Sequence, residues 1–253
     1  GAAVAFIYAG NRRTKQLQQE LLRQMEQGRK SEERKNAFIN SICHEVRTPL
    51  NSIAGFSELL CADEVSPEAH DQYCQIIHES RRQLRYLFED MLEVSYLENL
   101  TEPLPRSYLN LCALCRSQLR AMKIRCPKTG VAYADGIPAE TIAVVSSEKY
   151  LGVLLSALLG NAYKFTREGH IRLECGREGD ERVYIAVTDT GCGIPPEKYD
   201  QAFERFTKLD PFSQGNGLGL YLCRLIVRHL GGEIRIDPEY TEGTRIVVVL
   251  PRK

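Results

Sequence analysis

Two runs of residues stepped alternately by three and four constrain this chain more than anything else in it. The first is Ile39, Ile42, Val46, Pro49, Ile53, Phe56 and Leu60; the second is Tyr73, Ile77, Ser80, Leu84, Leu87, Met91 and Val94. That alternation is the a/d seam of a helix packed in a bundle. Between the runs, Cys61 to Val65 breaks the pattern, and Ser66-Pro67 restarts it as an N-cap followed by proline at the first helical position. Two helices joined by so short a loop form an antiparallel hairpin. One hairpin cannot bury two seams, so a second copy is expected to close it into a homodimeric four-helix bundle.

His44 lies off the first seam, with Thr48 and Ser52 following at i+4 and i+8 on the same exposed edge. Pro49 lacks a donor and clashes with the carbonyl of Glu45, which predicts a bend within a turn of the histidine. On its own, a histidine on a solvated helical edge is an ordinary bundle residue. Upstream, residues 14–60 have helical composition interrupted only by Pro49, enough for a rod of about 70 Å. Pro103 and Pro105, within Asn99 to Ser107, end the helical pattern and mark a boundary. The expected organisation is a membrane-proximal stub and linker over 1–34, a helical hairpin over 35–100 and a second domain over 101–253.

The second domain mixes element types. Helices are predicted at about 109–122, 148–163 and 217–230, and strands at about 130–134, 141–146, 170–176, 182–188, 232–237 and 244–250. This is the pattern of an α/β sandwich with one mixed sheet and one helical layer. Four stretches of it carry groups suited to a nucleotide. Asn161 sits on the inward side of an apolar helix with Lys164 close behind, an amide oxygen for hard Mg²⁺ and an ammonium for a phosphate. Asp189-Thr190-Gly191-Cys192-Gly193-Ile194 follows an apolar strand and offers a carboxylate beside two glycines, an acceptor for the exocyclic amine of adenine. Phe203, Arg205, Phe206 and Lys208 supply aromatic anchors and cations for a lid. Gly215, Gly217, Leu218 and Gly219 open a helix whose N-terminus suits an anion.

Taken together, His44-Glu45-Val46-Arg47-Thr48-Pro49-Leu50 and these four stretches resemble the H, N, G1, F and G2 boxes of sensor histidine kinases of two-component systems. The resemblance covers roughly residues 35–253. It implies a histidine phosphotransfer hairpin followed by an ATP-binding domain of the GHKL type (the Bergerat fold), with ATP and Mg²⁺ as cofactors and Asn161 as metal ligand. It further implies His44 as phosphoacceptor, Glu45 as its base, and transfer to an aspartate of a separate response-regulator receiver. Glu45-x-x-Thr48 resembles the family's phosphatase motif, so a phosphatase-dominant scaffold stays open as an alternative. An ATPase that uses the same nucleotide fold without a phosphohistidine also stays open. Many members carry a second asparagine one turn before the first; here that place is Ala157.

Other nucleotide folds are excluded by motif: there is no G-x-x-x-x-G-K-[ST], no H-R-D and no D-F-G. With 33 basic and 33 acidic residues the formal charge is zero, which gives no footprint for nucleic acid. Residues 2–9 are apolar, shorter than the ~20 residues a span needs, and are followed by Arg12, Arg13 and Lys15. They read as the cytoplasmic end of a transmembrane helix, placing the rest as the cytoplasmic portion of an inner-membrane receptor. Nine cysteines form no framework and fit a reducing compartment. Cys112 and Cys115 form a C-x-x-C, but on an apolar helical face with no second pair, which favours core packing over zinc.

Overall fold

The hairpin forms on the predicted register. The computed structural model describes residues 26, 29, 36, 39–62, 65–207 and 217–253. The first helix, α1, is continuous over 39–60 and passes through Pro49 without interruption. Helix α2 spans Pro67–Asn99. Its start is capped as expected, the Ala69 N–H donating to Ser66 Oγ at 3.2 Å. Near the turn, the rings of Phe56 and Tyr73 meet at 5.3 Å between centroids, which ties one seam to the other. Seam positions are more buried than their neighbours along most of both helices. Hydrophobic burial at those positions, not intrinsic propensity, is what holds helices this exposed.

The chain divides into two compact units, Gly1–Ser80 and Arg81–Lys253. The division falls inside α2, so the last part of that helix belongs to the second unit. After α2 come β1 (Ser107–Asn110), α3 (Leu111–Arg125), β2 (Val131–Gly136), β3 (Ala143–Ser146), α4 (Glu148–Phe165), β4 (Gly169–Glu178) and β5 (Arg182–Asp189). A 3₁₀ turn at Pro196–Lys198 leads into the short α5 (Tyr199–Ala202), then α6 (Gly219–His229), β6 (Glu233–Ile236) and β7 (Thr244–Pro251).

The main sheet has the order β2-β4-β5-β7-β6, with β2 and β4 parallel and the other pairs antiparallel. Alternation sorts its two faces. Ile171, Leu173 and Cys175 of β4, Val183, Ile185 and Val187 of β5, and Ile246, Val248 and Leu250 of β7 enter one large core together with α3, α4 and α6. The opposite face holds a small cluster of Ala186, Val247 and Val249, and a pairing of Arg245 with Glu174 at 2.9 Å. One strand departs from the expectation. The segment predicted at 141–146 is not part of the main sheet; as β3 it pairs antiparallel with β1 in a separate two-stranded ribbon.

Candidate functional site

In the first unit, the His44 side chain is 76% exposed and its Nδ1 lies 3.7 Å from Glu45 Oε1. Thr48 is also exposed, and its hydroxyl donates to the His44 carbonyl at 3.4 Å; Ser52 repeats the pattern onto the Thr48 carbonyl at 3.2 Å. These back-bonds supply donors to helix carbonyls in the turns that flank Pro49. The imidazole therefore projects from the helix with a carboxylate at its side and a hydroxyl one turn away.

The second unit holds the other described site residues, several of them near the end of α4 and in the turn after β5. Asp189, at the end of β5, is 6% exposed. Its Oδ1 accepts from the Gly191 N–H at 2.8 Å and from the Thr244 N–H at 3.4 Å. Burial pushes its carboxyl above the ordinary carboxylate range, and the two amides and His170 partly offset that. Gly191 is held to glycine by close approach: a Cβ there would lie 2.5 Å from the Phe165 carbonyl oxygen and 2.8 Å from Asp189 Oδ1. Gly193 takes φ +70° beside the Gly243 carbonyl. Three segments thus converge without side chains between them, the end of α4, the turn after β5 and the turn before β7. That cradle would be filled by any added methyl.

A second group forms where α4 faces the start of α6. A Cβ on Gly219 would stand 3.7 Å from the Asn161 amide nitrogen and 3.8 Å from its oxygen, so half-buried Asn161 opens onto the N-terminus of α6. Its N-cap residue, Leu218, makes no side-chain cap hydrogen bond. Leu218 is fully buried and fixes it to the core. Gly217, at φ +67°, packs where a Cβ would come within 2.6 Å of the Phe206 backbone. Phe206 itself is a non-glycine residue at φ +55°. Lys164 Nζ lies 4.3 Å from the Phe165 ring centroid. Ile194 packs against the large core, and so does Ala157, which offers a methyl where an oxygen donor was absent from the sequence.

Phe203 is a buried core residue, 7% exposed, and the Phe206 backbone lies beside Gly217. Arg205 is turned to Glu98 on α2, with which it forms an ion pair. Lys208 and Gly215 lie outside the described residues, as do residues 2–9. No helix among the described residues is long and apolar enough to cross a membrane. Gly243 and Thr244 were missed: Glu242-Gly243-Thr244 at the mouth of the last strand was the available signal, a glycine where a backbone must pass a buried aspartate. Cys112, Cys115 and Cys175 meet in the core, with Cys175 Sγ 3.8 Å from Cys112 Sγ. Hydrogen bonding to Cys115 and burial push the Cys175 thiol far up, and burial and Cys175 raise that of Cys112. Such thiols stay protonated and pack as small apolar groups.

A buried carboxylate beside a glycine cradle, an amide facing the start of α6, and an exposed histidine–glutamate pair on a helical hairpin are the arrangement expected of a phosphoacceptor hairpin and a nucleotide domain. Comparison with known proteins agrees. The model of the His Kinase A (phospho-acceptor) domain matches residues 34–100, and that of the histidine kinase-, DNA gyrase B- and HSP90-like ATPase matches residues 146–253. Histidine protein kinase DivJ of Caulobacter vibrioides is 31% identical over 219 residues, 85% of this chain and 37% of that protein. Full-length ShkA in complex with AMPPNP superposes with a TM-score of 0.64 at 26% identity, over 82% of this chain and 44% of that one. Histidine kinase ThkA in complex with response regulator protein TrrA gives 0.70 at 24% identity, over 86% and 61%, a likeness of fold alone. The chain belongs to the sensor histidine kinases and carries their kinase core. It spans well under half the length of the first curated relatives it matches.

Proposed function

We propose that this chain phosphorylates its own His44 with ATP and passes the phosphoryl group to an aspartate of a separate response regulator. The observation that carries the reading is the exposed His44 imidazole beside Glu45, within the segment matched by the phospho-acceptor model. His44 Nε2 attacks the γ-phosphorus; the bond from that phosphorus to the β,γ-bridging oxygen breaks and ADP leaves with its electron pair. Glu45 takes the proton from Nδ1, so the phosphohistidine gains no net positive charge. The Nδ1–Oε1 distance of 3.7 Å is longer than a hydrogen bond and closes by a side-chain adjustment.

Asp189 accepts from the adenine amine, Gly191 and Gly193 let the base approach the backbone, and the start of α6 with Gly217 and Gly219 receives phosphate oxygens. Lys164, Arg205, Phe206 and Lys208 close over them. Asn161 would hold Mg²⁺ through its amide oxygen, which suits a hard cation, and the ion would supply neutralisation of phosphate charge; Ala157 has no oxygen to offer it. The active assembly is a homodimer: Ile39, Leu50, Leu59, Phe88 and Leu92 remain exposed on the two hairpin helices, and a second copy would cover them. The domains are a linker over 1–34, the phosphotransfer hairpin over 35–100 and the catalytic domain over 101–253, on the cytoplasmic side of the inner membrane. Incubation with γ-labelled ATP is expected to leave acid-labile, base-stable label on the chain; ATP hydrolysis without such label would point to an ATPase and overturn the reading.

Thr48 supports a second activity on the same edge. Its exposed hydroxyl lies one turn from His44, and its bond to the His44 carbonyl, at 3.4 Å, is long enough to exchange for a water. Thr48→Ala is expected to lower dephosphorylation of the regulator by about tenfold or more, in line with losing one water-positioning group, while autophosphorylation stays near the parental rate. Equal loss of both in paired assays would make Thr48 a structural residue of the Pro49 region.

A further inference from the structure

Within the second unit, the end of α2 is fastened to its neighbours by a row of contacts that the proposed chemistry does not use. Glu93 Oε1 accepts from Lys149 Nζ at 2.7 Å, and its Oε2 accepts from the Tyr150 hydroxyl at 3.2 Å. Val94 and Leu97 are buried in the large core, and the Leu97 carbonyl meets His229 Nε2 at 2.7 Å. One residue on, Glu98 reaches the lid. Its Oε1 accepts from both the Arg205 guanidinium and the Tyr221 hydroxyl. The Arg205 guanidinium also lies over the Tyr221 ring, 5.0 Å from its centroid.

A guanidinium presents one planar fork of donors, and carboxylate and phosphate oxygens compete for the same fork. While Glu98 holds Arg205, part of that fork is taken up by α2. We propose that Glu98 is a positioning residue that withholds Arg205 from the triphosphate, so that displacement of the α2 end hands the lid arginine to ATP. This rests on the reading of Arg205 as a lid cation. The trio is suited to the task because it is only partly buried: the Arg205 and Glu98 side chains are 39% and 24% exposed, so the pair is weak enough to exchange. Glu93, Val94 and Leu97 hold the helix end independently of it. The arrangement makes the pose of the α2 end a determinant of lid charge.

The test compares the full chain with Glu98→Gln, Arg205→Ala, the double variant and Tyr221→Phe. Glu98→Gln keeps shape and removes charge, and is expected to raise the initial rate of acid-labile labelling and lower the half-saturating ATP concentration. The change should be about two- to fivefold, the population shift that a part-exposed ion pair can support. The ratio of variant to parent should shrink as salt is raised, since the parent pair is screened. Tyr221→Phe removes one donor from Glu98 and should shift both quantities the same way by less. Arg205→Ala should slow labelling, and adding Glu98→Gln to it should give no gain, because Glu98 acts through Arg205. If Arg205→Ala slows labelling while Glu98→Gln and Tyr221→Phe leave rate and half-saturation unchanged or worsen them, the withholding role is overturned and the lid reading stands. If Arg205→Ala changes neither quantity, the lid reading fails and the withholding role falls with it.

Discussion

His44→Gln is expected to abolish labelling from γ-labelled ATP while leaving ATP affinity at the parental value. The glutamine amide has no basic lone pair to attack phosphorus, and no neighbouring group supplies one on that edge, where Thr48 and Ser52 bring hydroxyls already donating to helix carbonyls. The fold should not register the change, because the side chain is 76% exposed and such substitutions usually stay within about 0.5 kcal/mol. ATP affinity should not register it either. Asp189, Gly191 and Asn161 lie in the other compact unit, and none of their described contacts includes a residue before Arg81. Label is followed by acid-stability profiling and ATP affinity by displacement of a fluorescent nucleotide. Retained acid-labile label would move the phosphoacceptor elsewhere, and a parallel loss of ATP binding would mean that the variant is misfolded.

What could be read in advance follows the range of the interactions. The two seams depend on spacing within one helix, so Phe56 opposite Tyr73 and the cap at Ser66 were legible from neighbours in sequence. The strand segments of the main sheet were legible for the same reason, since alternation at Ile171, Leu173 and Cys175 needs no knowledge of a partner. Pairing does need it. The segment ending at Ser146 has the composition of a sheet strand, and only its register with Ser107–Asn110 takes it out of the main sheet. That partner strand is four residues long with Tyr108 87% exposed, too short and too wet to leave a periodic signal. In the site, Asp189 and Gly191 were legible because carboxylate and glycine are close in sequence. The Thr244 amide that completes the cradle is 55 residues further on. The hold of Glu98 on Arg205 spans 107 residues and joins a helix read as part of the hairpin to a loop read as a lid. Nothing local announces it, and it belongs to the same long-range packing that divides α2 between the two units.

Asp189→Asn should separate function from stability, because the carboxylate is costly to the fold. Its Oδ1 already accepts two backbone amides, which leaves Oδ2 to accept from a base amine. The substitution preserves an oxygen for the amides but turns the other position into an NH₂ facing the adenine NH₂, donor against donor. Losing a charge-assisted bond and leaving both donors unpaired costs about 3 kcal/mol, roughly a hundredfold in ATP affinity. Stability should move the other way. Burial raises the Asp189 pKa in the folded chain above its unfolded value, so the folded state binds more protons between the two values and stability falls as pH rises through that window. The penalty for the ionised form therefore grows as pH rises above the ordinary carboxyl range. Asparagine removes it, and the variant should melt higher than the parent at pH 7. The advantage should fade as pH is lowered towards about 4, the ordinary carboxyl range, below which the group is protonated in the folded and the unfolded parent alike. A variant that binds ATP normally and melts lower at neutral pH would make Asp189 a structural anchor for Gly191 and Thr244. Weaker binding with a higher melting point would instead mark a buried charge that the fold keeps at a cost because the nucleotide needs it.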